Sequence, residues 1–220
     1  MNFLNVDNPF FSFISKIINL ILLSLYWLMC CIPIFTIGAS TTALYYAVQK
    51  NINHDLGSAT QQFFRGFKEN FKQSTVVWLI LFALCLLFSF DMTFFTNYGN
   101  DGHPLMYYLR YPFIALLVIE GIYFIYLFPY LARFKNTVKN TFINSTLLII
   151  RHPGKTLLFM LFLATACFLV WLLPITIIII PGIYMWQVSN FMEKIYLKYM
   201  SDEDKDFERR RYTPGDPHED

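Results

Sequence analysis

The residue best placed to do chemistry is an acid inside an apolar run. Glu120 sits in Leu-Val-Ile-Glu-Gly-Ile-Tyr, at the centre of an otherwise apolar segment, 111–130. A carboxyl at the middle of a bilayer costs about 2.5–3.5 kcal/mol on insertion scales if charged, so such acids are rare and are functional candidates by default. Two functional readings fit: a proton or cation site, or a contact for a partner helix. The plainer alternative is a packing acid, neutral or bonded to Asn19, Ser24 or a neighbouring tyrosine. Gly121 beside it would let another helix approach closely.

Other reactive constellations are missing from the sequence. There is no phosphate-binding G-x-x-x-x-G-K-[ST] loop, no His-Glu-x-x-His pair and no Gly-x-Ser-x-Gly elbow. His54, His103, His152 and His218 are scattered over connections and tail. Cys30, Cys31, Cys85 and Cys167 form no C-x-x-C pair and fall in apolar runs, where thiols act as small buried hydrophobes. Asn144-Ser145-Thr146 fits a glycosylation acceptor but lies on the side expected to face the cytoplasm. The expectation is a non-enzymatic protein with no cofactor, no metal and no nucleic-acid partner.

The elements that must position Glu120 are membrane helices. The 220 residues are 56% hydrophobic and 15% charged, against about 45–50% and 25% for ordinary soluble domains. Mean hydropathy is +0.44. Residues 156–192 carry no charge, and neither do residues 17–49. Each run exceeds one span of about 20 residues, and each is broken, by Pro174, Pro181 and Gly182 or by Pro33 and Gly38. Lys16 precedes a run too long for a cleavable signal, so a retained anchor is expected.

The fold class expected is all-α: a polytopic helical membrane protein. Five transmembrane helices are read at 17–37, 76–90, 111–130, 157–173 and 175–192. The piece 39–49 is a short sixth crossing, a re-entrant segment or an interfacial helix. Residues 1–200 form one integral membrane domain, and 201–220 a mixed-charge, disordered tail.

Lys and Arg counts in short connections set orientation. Segments 46–75 and 132–156 and the region after Met192 are basic, whereas 91–110 and the Pro174–Gly182 turn are not. The basic segments and the C-terminus are therefore placed in the cytoplasm; the side of the N-terminus depends on whether 39–49 crosses. Phe63, Phe64, Phe67 and Phe71 recur at helical spacing among Arg65, Lys68 and Lys72, the pattern of an interfacial amphipathic helix. Phe134, Val138 and Phe142 alternate with Lys135 and Lys139 in the same way. The bilayer itself is the first partner, and the basic segments suit anionic lipid.

The stretches WLMCCIPIFTIG (from Trp27) and VWLLPITIIIIPG (from Val170) share a Pro-Ile corner followed by Thr-Ile. Internal symmetry of this kind occurs in transporters, although short apolar segments resemble one another readily.

Trp27, Pro33-Ile-Phe-Thr36-Ile-Gly38, Thr42 and Tyr45, followed by Phe67 and Asn70-Phe71-Lys72-Gln73, resemble the YesL-like membrane proteins of Gram-positive bacteria, most strongly over residues 1–75. That family is of unknown function. Its members are often encoded beside carbohydrate ABC transporters. The resemblance implies a cell-membrane, multi-pass accessory or regulatory subunit of carbohydrate uptake, with transporter permease subunits as partners. A small transporter or channel using Glu120 is the alternative. Oligomeric state is not legible.

Overall fold

The computed structural model describes residues 9–100, 107–134 and 136–200. Among them every regular element is helical. The order is α1 (Pro9–Cys31), a 3-10 turn (Ile34–Thr36), α2 (Ile37–Ala47), a π-helix (Val48–Asn53), α3 (Ala59–Asn100), α4 (Arg110–Arg133), α5 (Val138–Arg151), α6 (Pro153–Leu172), a second 3-10 turn (Pro174–Ile178) and α7 (Ile180–Tyr199). The tail 201–220, expected to be disordered, lies outside the described residues.

Among the described residues four helices are long and apolar enough to cross a membrane: Ser12–Cys31, Ala59–Tyr98, Arg110–Arg133 and Pro153–Leu172. Five were expected. The one that fails is 175–192. Pro174 starts a 3-10 turn, so α7 begins only at Ile180. Its apolar part ahead of Glu193 is then about 20 Å long, short of a core about 30 Å thick. Gln187, Ser189 and Asn190 interrupt even that part, Glu193 and Lys194 follow it, and Met185, Val188, Ser189 and Met192 are buried. The segment reads as a span in sequence because its polar residues are spaced out along an uncharged run.

The segment 39–49 falls in α2 and the start of the π-helix. With 11 residues α2 reaches about 17 Å, and residues 38–49 are all buried. It is an enclosed helix too short to cross. Cys85 and Cys167 were expected to be buried but are exposed, while Cys30 and Cys31 are half-buried.

Sequence explains the breaks. Pro33 and Pro174 lack an N–H and disfavour helical geometry in the residue before them, which stops α1 and α6. Residues 59–100 contain no proline, so the amphipathic stretch with Phe63 and the span after it form one helix of 42 residues. Thr137 caps α5, its hydroxyl accepting from the Asn140 N–H at 3.4 Å.

Packing divides the chain into two units. The first comprises Met1–Met29, Ala43–Glu69 and Phe162–Asp220. Here α7 presses on α1 at Gly182, where a Cβ would stand 2.7 Å from Leu20 O and Ser24 Oγ. The Gly182 N–H donates to Ser24 Oγ at 2.9 Å. Tyr26 on α1 packs on Phe63 and Phe64, its hydroxyl 3.1 Å from that of Thr60.

The second unit comprises Cys30–Thr42 and Asn70–Leu161. Its core joins Val77 and Leu81 of α3 to Leu127, Phe128 and Leu131 of α4. Trp78 meets Phe124, and Phe95 stacks on Phe113, so the two helices run antiparallel. Tyr126 of α4 reaches the Thr156 hydroxyl of α6 at 2.8 Å. At Gly38 of α2 a Cβ would stand 2.5 Å from Trp78 Cβ and 2.6 Å from Ser74 O; glycine is what lets those helices touch.

Candidate functional site

In the first unit a buried polar network joins the π-helix to α7. Gln49 Oε1 accepts from the Ser189 hydroxyl at 2.5 Å and from Asn53 Nδ2 at 2.7 Å. Asn53 Nδ2 also lies 2.9 Å from Ser189 Oγ, and Asn53 Oδ1 accepts from the Trp186 indole N–H at 3.0 Å. Gln49 Nε2 and His54 Nε2 are 3.1 Å apart. One helical turn further along α7, Tyr45 donates to Glu193 Oε1 at 3.0 Å. Ser189 is fully buried and Gln49 nearly so. A π-turn widens the helix by one residue and is found disproportionately at functional sites; here it turns two amide side chains, Gln49 and Asn53, onto one neighbour. Buried polar groups demand partners, and these serve one another.

Sequence reasoning missed this network. Trp186, Ser189 and Glu193 are spaced three and four apart, so they share one face of α7. That spacing was the available signal, inside a stretch read as a span. Nothing in the sequence marks the π-turn.

Glu120 lies in the second unit, on α4, against the backbone of Cys85 on α3. Its Oε2 is buried and has no hydrogen-bond partner among the described residues. The suggested internal partners are used elsewhere. Tyr123 shares a hydrogen bond with Thr146 at 2.7 Å, and the Ser24 hydroxyl donates to Leu20 O and accepts from Gly182. Asn19 is half-buried on α1, in the other unit. The surroundings of Glu120 are outward-facing: Leu116, Val118 and Ile119 on α4 and Leu84, Leu86 and Leu87 on α3 are exposed. A Cβ on Gly121 would meet nothing within 4 Å. The acid therefore has one oxygen unsatisfied, beneath an outward-facing apolar surface.

The motif residues build the corner between α1 and α3. Pro33 opens the 3-10 turn. The Thr36 hydroxyl lies 2.5 Å from Cys30 O, a carbonyl in the last turn of α1, and 2.6 Å from Pro33 O, which also accepts the Thr36 N–H. Thr42 sits 2.9 Å from Ser74 Oγ, both fully buried. Gln73 donates to Asn136 O, and Trp78, absent from the motif, donates to Ile34 O at 2.7 Å. Phe67 stacks on Phe63. Trp27, Asn70 and Phe71 are half-buried, and Lys72 is exposed. The corner at Pro174 has the same local geometry: Thr176 Oγ1 lies 2.7 Å from Leu173 O and 3.3 Å from Leu169 O. For Pro33, Thr36, Gly38, Thr42, Phe67 and Gln73 these are structural contacts.

Residues 20–92 match the family described as a protein of unknown function, DUF624. The DUF624 stretch is about a third of the chain and runs from within α1 to within α3. It holds the Pro33–Gly38 corner, the buried α2 and the π-helix, with Gln49 and Asn53 in it. Glu120, Ser189 and Glu193 lie beyond it. No curated protein and no solved structure matches the chain.

Proposed function

We propose that this membrane protein is a YesL-like, non-enzymatic accessory or regulatory subunit that works with an ABC-type carbohydrate transporter of the cell membrane. The observation that carries the reading is the contrast between its two polar centres. In the Gln49–Ser189–Asn53–Trp186 group the side chains bond to one another and hold helices together. At Glu120 a carboxyl oxygen is left without a donor beneath an outward-facing apolar surface, which fits a partner helix that docks there and supplies one. The resemblance over residues 1–75 adds the class of partner. The sequence expectation that the basic stretch with Lys68 and Lys72 is cytoplasmic supports a position beside the permease.

Gentle solubilisation of native membranes tests this. The protein should co-purify with permease subunits, in amounts that drop when Glu120 is changed to leucine. Purification free of any transporter subunit would contradict the reading.

One observation favours a small transporter instead. An unsatisfied acid beside α3 could bind and release a proton. Glu120→Gln should then abolish a pH-dependent flux in proteoliposomes, and unchanged flux would sink that role.

A further inference from the structure

We propose that α5 is a lipid-reading helix, with Ile143, Leu147 and Ile150 set into the acyl boundary of the bilayer and Lys139 and Arg151 holding anionic lipid headgroups. The helix has 14 residues, so it extends about 21 Å and cannot span the bilayer. It connects α4 to α6, two helices apolar enough to cross, and that tether keeps it at the membrane.

Its two faces differ sharply. Thr141, Ser145 and Leu148 are buried. Two hydroxyl contacts pin the helix to α4: Thr146 to Tyr123 at 2.7 Å, and Asn144 Nδ2 to the Tyr130 oxygen at 2.7 Å. On the other side Ile143 is 48%, Leu147 46% and Ile150 69% exposed. Spacings of four and three put those three residues on one stripe. Lys139 continues the stripe one turn before Ile143, and Arg151 stands at its far end; both are exposed.

Charge decides the occupant. Residues 132–156 contain Arg133, Lys135, Lys139, Arg151 and Lys155 and no acid. A second copy laid on the same stripe would bring Lys139 and Arg151 against their own kind, parallel or antiparallel. An anionic lipid surface meets both the apolar stripe and its cationic ends.

The test uses the full chain with its four cysteines replaced by serine. A Leu147→Cys spin label is placed in vesicles of phosphatidylcholine alone, or of phosphatidylcholine with phosphatidylglycerol. The label should be readily relaxed by oxygen and poorly by a water-soluble nickel chelate. Ready relaxation by the chelate, or protection from both agents as in a protein interface, would overturn the proposal. Spin-labelled lipids then report headgroup preference. Replacing Lys139 by alanine should lower the preference for phosphatidylglycerol about fivefold, and Arg151 likewise, near the value of one basic residue at an anionic surface. An unchanged preference in both variants would contradict the role given to them, as would free inorganic phosphate displacing the lipid.

Discussion

The Ser189 hydroxyl donates to Gln49 Oε1 at 2.5 Å across 140 residues of chain. That bond joins the middle of α7 to the π-helix, on the face of α7 that is buried in the first unit. A helix with Trp186, Ser189 and Glu193 on one face is better satisfied against polar protein groups than against lipid, where an unpaired polar group is expensive.

Ser189→Ala should therefore destabilise the protein by about 1 kcal/mol, since Gln49 Oε1 keeps its bond from Asn53. Gln49→Leu should cost more, about 2–3 kcal/mol, because Asn53 and Ser189 both lose their acceptor. The double variant should cost little beyond Gln49→Leu alone, as neighbours in one network are not additive. Unfolding in mixed micelles, followed by helical circular dichroism, measures all three.

Gly38 and Gly121 should respond in opposite ways to alanine. A Cβ at Gly38 would meet Trp78, Ser74 and Phe128 within 2.8 Å, so Gly38→Ala should cost about 1–3 kcal/mol by overpacking. At Gly121 nothing stands within 4 Å, and alanine's higher helix propensity should stabilise by up to about 1 kcal/mol. The same unfolding assay separates the two, and equal losses would mean that the contacts at Gly38 are wrong.

Thr36→Val and Thr176→Val keep the side-chain shape but remove the hydroxyl that covers helix-end carbonyls at each proline corner. Each should cost about 1 kcal/mol. Hydrogen exchange should rise in the adjacent turns, 28–33 for Thr36 and 168–173 for Thr176, with distant helices unchanged.

The membrane character and the spans containing Glu120 and Phe159 were legible because apolar length and missing charge are local properties; that the amphipathic stretch with Phe63 continues into the next span as one α3 was not read. So was the corner, since Pro33 and Gly38 act where they stand. The fate of 175–192 was not: Ser189 and Glu193 look tolerable in an apolar stretch until their partners, Gln49 and Tyr45, are known. Those partners lie 140 and 148 residues away, and one stands in a π-turn without a sequence signature. Glu120 was visible as an anomaly, but only the structure shows that Tyr123 and Ser24 are engaged elsewhere.

Glu120→Leu should stabilise the isolated protein, because a buried oxygen without a donor is removed, and should weaken transporter association about tenfold, or about 1.4 kcal/mol. Glu120→Gln, which keeps an acceptor oxygen, should retain most of the association. Melting in detergent and quantitative co-purification read the two effects separately. Loss of stability in Glu120→Leu would mean that the acid has a partner within the chain.

Crosslinking mass spectrometry on native membranes, through Lys68 and Lys72, tests the accessory role most directly. An accessory subunit should give reproducible crosslinks from these lysines to permease or ATPase subunits of a carbohydrate transporter, lost when that transporter is deleted. Crosslinks confined to the chain itself, with the transporter present and abundant, would contradict it.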